Sequence, residues 1–413
     1  VNLIYKERTM YIFKAGVVGA GAMGAGIAQV ISYSGLPVVL KDVDQAMLDK
    51  GMAHIRQIYQ SRVDKGKMSA GEMESKLALV TPALDYGEFG DVDVVIEAIP
   101  ERMELKQKVF AELDSACPAG AIFASNTSAL SITEMGRATQ RPHKVIGLHF
   151  FNPANVMKLV EIIRGEQTDD ETVQDMVTFT ESLRKIPVVV KECPGFLVNR
   201  LLMPYLNEAT LALQEGAATA QAIDAAMVDY GWPMGPFTLM DFLGLDVCFE
   251  VGQYLTSQYG TRMQGAVLFE KLVKAGRLGE KSGAGFYGYG DQTDEPVKQM
   301  IAELSGGKPQ SEFTPERLMF PMLNEAARCA EESIADVRDI DMAMIAGTGM
   351  MVKGERIGPL ALSDKLGIDV LVAGLEAFEK QYGKRFHPAN RLHELVKAGR
   401  IGEKAKAGFL EYV

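Results

Sequence analysis

The stretch Lys14-Ala-Gly-Val-Val-Gly-Ala-Gly-Ala-Met-Gly-Ala-Gly-Ile-Ala leaves this chain few folds to choose from. A short apolar run, Ala15 to Val18, leads into Gly19-Ala20-Gly21-Ala22-Met23-Gly24, and helix-like sequence follows to about Ser34. A second apolar run, Pro37 to Leu40, ends at Lys41-Asp42. In a strand–turn–helix–strand frame each glycine has its own task. Gly19 permits the tight turn, Gly21 lets a diphosphate approach the backbone, and Gly24 lets helix and strand pack closely. The helix start adds unpaired N–H groups and partial positive charge for that diphosphate. Asp42, about twenty residues on, is placed to accept hydrogen bonds from an adenosine ribose. GxGxxG alone is a weak sign, because a tight βα turn can be purely structural. With the strand before it, the helix after it and the spaced acid, it reads as a dinucleotide site. The acid repels a 2′-phosphate, which favours NAD over NADP.

Beyond Asp42 the spacing of Met47, Leu48, Met52, Ile55 and Tyr59 predicts a helix over Gln45 to Gln60. A polar stretch, Ser61 to Met68, and more helix through Glu72 to Leu77 make this excursion longer than a minimal crossover needs. Asp93 to Ala98 is a continuous apolar strand of the kind buried on both faces of a parallel sheet. Glu101 to Lys106 opens the next helix, and Ala121 to Ala124 is a further strand. It runs into Ser125-Asn126-Thr127-Ser128, a polar turn at the carboxyl end of a strand, where open α/β sheets bind ligands. Val145 to Pro153 is a strand with a lone His149, Met157 to Arg164 repeats the pattern with a lone Glu161, and Ile186 to Val190 is the last strand. From Cys193 onward strands disappear, so a boundary falls near residue 192.

The helical half repeats itself. Arg200-Leu-Leu-Met-Pro-Tyr-Leu-Asn-Glu-Ala returns as Arg317-Leu-Met-Phe-Pro-Met-Leu-Asn-Glu-Ala, an offset of 117. Gly235-Pro-Phe-Thr-Leu-Met-Asp returns as Gly358-Pro-Leu-Ala-Leu-Ser-Asp, an offset of 123, which places an insertion of about six residues around Met350 to Arg356. Leu272-Val-Lys-Ala-Gly-Arg matches Leu395-Val-Lys-Ala-Gly-Arg. The expected fold class is an α/β Rossmann-type NAD-binding domain over residues 1–191 followed by two tandem all-α domains, 192–296 and 297–413.

At 413 residues the chain is long enough for several domains with substantial cores. A formal net charge of −11 argues against nucleic acid as a partner, since phosphate backbones need a basic surface. No apolar stretch approaches the roughly eighteen residues that span a bilayer, and no signal-peptide pattern opens the chain. The initial Val1 and internal Met10 suggest a few added residues at the start. Cys117, Cys193, Cys248 and Cys329 are widely spaced, which suits reduced thiols in a cytoplasmic protein and no metal site.

His149 and Glu161 are the pair that carries chemistry. A histidine in a buried strand is, taken alone, more often a core residue, but a glutamate in a second apolar run needs a partner. If the two strands are neighbours, Glu161 fixes the imidazole tautomer and favours its cationic form, making the ring a base. A dinucleotide fold with such a pair implies a dehydrogenase that deprotonates a secondary hydroxyl as hydride leaves carbon. Ser128 and Asn199 are polar side chains able to hold that oxygen.

Together with Gly147-Leu-His-Phe-Phe-Asn-Pro, Val156-Met-Lys-Leu-Val-Glu161, Cys193-Pro-Gly-Phe-Leu-Val-Asn-Arg200, Pro233-Met-Gly-Pro-Phe and Lys281-Ser-Gly-Ala-Gly-Phe-Tyr, these residues resemble the 3-hydroxyacyl-CoA dehydrogenase family over nearly the full length. The resemblance implies NAD-dependent, reversible oxidation of a (3S)-3-hydroxyacyl-CoA to the 3-oxoacyl-CoA. It implies that His149 is the base, Glu161 its orienting partner, and Ser128 and Asn199 the groups at substrate. It assigns Gly19, Gly21, Ala22, Met23, Gly24, Asp42, Ala98, Glu101, Lys106, Asn126, Asn152 and Lys281 to the cofactor, Lys281 most weakly. Where the family holds the CoA phosphate, no lysine aligns cleanly; Ser61 and Arg62 are taken as substrate residues with Lys65 and Lys67 nearby, although a solvated helix face accounts for any one of them.

The duplicated helical half resembles the dehydrogenase portion of multifunctional fatty-acid-oxidation enzymes, in which an enoyl-CoA hydratase precedes the Rossmann domain; none precedes it in this sequence. The second copy has Glu316 where the first has Asn199 and reads as structural. In single-copy relatives the helical domain makes the dimer. The expectation is therefore a monomer with an internal pseudo-dimer, or a homodimer through another surface. Two rivals remain open: a dehydrogenase of a free hydroxy acid or sugar acid, and an inactive NAD- and CoA-binding protein.

Overall fold

The computed structural model of the chain describes residues 11–412; residues 1–10, on which the expectation of added N-terminal residues falls, and residue 413 lie outside the described residues. Two compact units divide between Phe196 and Leu197. The second of these units holds both helical copies.

The first unit is built on an eight-stranded sheet in the order β3-β2-β1-β4-β5-β6-β7-β8. Its strands are β1 (Ala15–Val18), β2 (Val38–Lys41), β3 (Val80–Ala83), β4 (Val94–Glu97), β5 (Ile122–Ser125), β6 (Val145–Phe150), β7 (Leu159–Arg164) and β8 (Ile186–Lys191). All neighbours pair in parallel except β6 and β7. Strands β1, β2, β4 and β5 are buried along their whole length, as expected for a sheet covered on both faces. The unexpected strand is β3. It sits at the sheet's edge, carries Pro82 and exposes its middle residues, so it leaves no apolar run to read.

Helices α1 (Ala22–Ser34), α2 (Gln45–Asp64), α3 (Ala70–Leu77), α4 (Met103–Ala116), α5 (Ile132–Gly136) and α6 (Asp170–Ser182) make the crossovers. Local chemistry sets their ends. Asp44 caps α2 by accepting from Ala46 N, and Ser69 with Glu72 forms a reciprocal capping box on α3. Tyr59, wholly buried, fixes α2 onto α1 through its hydroxyl contact with Ser32 Oγ at 2.8 Å.

The second unit is helical: α7 (Val198–Gln214), α8 (Ala220–Tyr230), α9 (Pro236–Leu243), α10 (Leu245–Tyr259), α11 (Val267–Lys274) and α12 (Glu295–Ser305) precede the second copy. That copy contains α13 (Pro315–Glu331), α14 (Val337–Thr348), α15 (Pro359–Leu366), α16 (Ile368–Tyr382) and α17 (Asn390–Lys397). The two copies pack through α7 and α13, and their polar contacts are reciprocal. Arg200 pairs with Glu325 at 2.8 Å and Glu332 at 2.7 Å, while Arg317 pairs with Glu208 at 3.1 Å and Glu215 at 2.9 Å. Glu208 and Glu215 are the repeat counterparts of Glu325 and Glu332. Arg262 on Glu325 is likewise mirrored by Arg385 on Glu208, and Arg200 over Tyr259 by Arg317 over Tyr382. Residue i touching j while the counterpart of j touches the counterpart of i is the signature of a two-fold interface. Here one chain supplies both sides.

The inserted residues correct the expectation that strands end at Cys193. They form a two-stranded hairpin, β9 (Met351–Val352) with β10 (Glu355–Arg356), turned by Lys353 at φ 48° and Gly354 at φ 83°. Lys353 N donates to Tyr230 O at 3.0 Å, so the hairpin covers the carboxyl end of α8 in the first copy. Gly231 is required there: a Cβ would stand 2.6 Å from Met351 O. Among the described residues no helix is long and apolar enough to cross a membrane.

Candidate active site

The glycine turn has the geometry a diphosphate needs. Gly19 adopts φ +104°, and a Cβ there would stand 2.6 Å from Ala98 O. A Cβ on Gly24 would fall 1.8 Å from Gly19 O, so the helix closes on the strand only because the side chain is absent. At Gly21 a Cβ would meet nothing within 4 Å, and the backbone there is open to a ligand. Helix α1 starts with Gly21 as its cap, has no side-chain cap and no acid in its first turn, so its N–H groups remain available to an anion. Ala22 and Met23 form the first turn of that helix. Asp42 directly follows β2 and also shapes the turn: Oδ2 accepts from Ala20 N at 2.7 Å, and Oδ1 accepts from Val43 N at 2.7 Å. Oδ1 accepts from Asp44 N as well, at 3.3 Å, so it is Oδ2 that keeps a second lone pair for a ribose hydroxyl. These residues fit a dinucleotide.

His149 and Glu161 are direct cross-strand partners in the antiparallel β6–β7 pair. Nδ1 and Oε2 are 2.7 Å apart, with His149 5% and Glu161 0% exposed. A carboxylate accepting at Nδ1 places the ring proton there and leaves Nε2 as the acceptor. Phe151 and Phe196 flank the imidazole, at centroid distances of 4.5 and 5.9 Å, and restrict water around it. Strand β7 can approach this closely because Gly147 opposes Ile163, where a Cβ would meet the Ile163 side chain at 2.8 Å.

The polar turn after β5 stands beside this pair, since β5 pairs with β6. Asn126 Oδ1 accepts from Phe150 N at 2.8 Å, tying the turn to the residue after His149. Glu101 Oε1 accepts from Thr127 Oγ1 at 2.6 Å and from Ser128 N at 2.9 Å, which sets the orientation of half-buried Ser128. Asn152 is exposed just past the end of β6, and Ala98 is half-buried just past β4. Lys106 lies buried in a charge network. It is 1% exposed and spends its ammonium on Glu97 Oε1 at 2.7 Å, Glu101 Oε2 at 3.2 Å and Ile99 O at 3.3 Å. Glu97, missed in the sequence, is the buried anion of this network and also accepts from Ser125 Oγ at 2.6 Å. Its signal was present, since Glu97 is a carboxylate in an apolar strand just as Glu161 is.

Ser61, Arg62, Lys65 and Lys67 do not merely form a solvated face. They line one cavity of about 590 Å³ together with Tyr33, His54, Lys158, Arg184 and Lys185. Arg62 lies over the Tyr33 ring at 4.6 Å and donates to its hydroxyl at 2.8 Å. Burial, and then neighbouring Lys158, push the Lys185 ammonium down to about 8. Among the described residues no carboxylate lines the cavity, so its chemistry is that of an anion site. In the second unit, Asn199 is half-buried in the first turn of α7, and exposed Lys281 is held by Asp246 at 2.5 Å.

The description "3-hydroxyacyl-CoA dehydrogenase, NAD binding domain" matches residues 14–193, and "3-hydroxyacyl-CoA dehydrogenase, C-terminal domain" matches residues 195–289 and again 313–412. This chain belongs to the 3-hydroxyacyl-CoA dehydrogenase family. Both helical copies thus carry the family's C-terminal domain, and the cofactor indicated for the first unit is NAD. The chain is 36% identical to a fatty acid oxidation complex subunit alpha of Psychrobacter arcticus, over 96% of this chain and 56% of that protein. It therefore spans little more than half the length of that relative. A 3-hydroxybutyryl-CoA dehydrogenase structure from Escherichia coli K12 aligns at TM-score 0.85 and 30% identity, covering 94% of this chain and all of that one. The (S)-3-hydroxybutyryl-CoA dehydrogenase of Ralstonia eutropha is 40% identical at TM-score 0.66, and its whole chain matches 68% of this one.

Proposed function

We propose that this chain oxidises the 3-hydroxyl of (3S)-3-hydroxyacyl-CoA thioesters to the ketone, reversibly, with His149 as the base. The observation that carries the reading is the His149–Glu161 pair, aligned in register at 2.7 Å on the sheet that ends in the glycine turn. NAD, when bound, accepts the hydride. His149 Nε2 takes the hydroxyl proton, while Glu161 holds Nδ1–H and stabilises the imidazolium that forms. Ser128 orients the substrate oxygen, its own position set by Glu101. The resemblance implies a substrate role for Asn199 as well. The basic cavity suits the phosphates of CoA, which a free hydroxy acid lacks, and this favours a thioester substrate over the rival hydroxy acids. The chain is on this account an active enzyme of fatty-acid metabolism.

The test is reduction of acetoacetyl-CoA with NADH and with NADPH. Asp42 at the ribose predicts a clear preference for NADH in kcat/KM, because a 2′-phosphate would face a carboxylate. Equal or better turnover with NADPH would overturn the role given to Asp42, and no turnover with either would overturn the function.

A further inference from the structure

Lys185 joins the basic cavity to the turn between the two catalytic strands. It is 8% exposed, and its Nζ donates to Ala154 O at 2.5 Å and Met157 O at 2.6 Å. Both carbonyls belong to the connection from β6 to β7, whose register sets His149 opposite Glu161. Ala154 also packs on the cofactor helix, where a Cβ on Gly26 would meet the Ala154 side chain at 3.4 Å. An ammonium has three N–H donors. Two are used on this turn, and the same group lines the cavity.

Among the described residues the charged side chains lining the cavity are cations, Lys158, Arg184, Arg62, Lys65 and Lys67, with the imidazole of His54 beside them. Mutual repulsion and burial work against the ammonium, and an anion in the cavity relieves both. We propose that Lys185 is a positioning residue through which an anion in the basic cavity fixes the 152–158 turn and, with it, the His149–Glu161 pair. This rests on the dehydrogenase reading, in which CoA phosphates are that anion. The cavity then does more than bind. Its occupation contributes to turnover at a site defined by other residues.

Acetoacetyl-pantetheine separates the two effects, because it carries the ketone and thioester but no phosphate. Adenosine 3′,5′-bisphosphate carries the phosphates without the ketone. At pH 8.5, where an empty cavity leaves much of Lys185 uncharged, the bisphosphate is expected to raise kcat on acetoacetyl-pantetheine by about tenfold, since small misplacements of reacting groups cost up to ~100-fold. At pH 6.5, where Lys185 is already charged, the gain should be smaller. Lys185→Met should have low kcat and no response, and Lys185→Arg should restore kcat and lose the pH dependence of the gain. Hydrogen exchange gives a readout independent of turnover. The amides of Val156 and Met157 are both bonded to Pro153 O, and the bisphosphate should slow their exchange in the natural chain but not in Lys185→Met. A bisphosphate that changes neither kcat nor exchange would overturn the proposal, as would a Lys185→Met chain that keeps natural kcat on acetoacetyl-pantetheine. If the natural chain reduces no thioester at all, the dehydrogenase reading fails, and the exchange measurement alone decides the role of Lys185.

Discussion

His149→Gln is expected to lower kcat for acetoacetyl-CoA reduction by on the order of 10²–10⁴-fold, the range lost with a general acid–base residue. The β6–β7 pairing is a backbone ladder over Gly147–Phe150 and Val160–Ile163, and glutamine is polar and close to imidazole in size, so the sheet should persist. NADH affinity should change little, because the glycine turn and Asp42 are built by β1, α1 and β2. The measurements are kcat, the NADH dissociation constant and the thermal midpoint of the same preparation. A variant that keeps more than about a tenth of natural kcat would remove His149 from the reaction. One that loses NADH binding in parallel would show a folding defect rather than a chemical one.

The largest effect on stability should follow from Arg200→Met. Arg200 is wholly buried between the two helical copies and satisfies Glu325, itself 3% exposed, together with Glu332. Removing one partner of a buried ion pair leaves an uncompensated charge, at a cost of about 3–5 kcal/mol. Arg262 still touches Glu325 at 3.1 Å, which places the expected loss toward the lower end. Arg317→Met should behave alike, because Glu208 and Glu215 stand as Glu325 and Glu332 do. Adding Glu325→Met to Arg200→Met should recover part of the loss, since an apolar pair leaves no charge behind. Urea unfolding of the four chains measures this. A loss below about 1 kcal/mol for either single variant would mean that the reciprocal network does not hold the copies together.

Much of this was legible because it depended on spacing along the chain. The glycine turn needs residues close in sequence, and its conformations follow from what a Cβ would strike. The His149–Glu161 pair was legible because a carboxylate in an apolar run demands a partner, and the lone histidine stood in the neighbouring run. The same logic applies to Glu97, a carboxylate in an apolar strand whose buried partner is Lys106. Lys185 was hidden for another reason. Next to Arg184 in a strand-leading loop it looks solvated, and only the fold brings it to Ser61 and Arg62 on α2. The repeat was plain in sequence, yet its offset alone could not say which glutamate each arginine would meet.

Oxidation of (3S)-3-hydroxybutyryl-CoA by NAD, followed as NADH formation and set against free 3-hydroxybutyrate, tests the central claim most directly. The account predicts turnover of the thioester and kcat/KM for the free acid lower by orders of magnitude, because the acid reaches His149 without phosphates for the basic cavity. Equal rates on the two substrates, or NADH formed from the free acid alone, would contradict it.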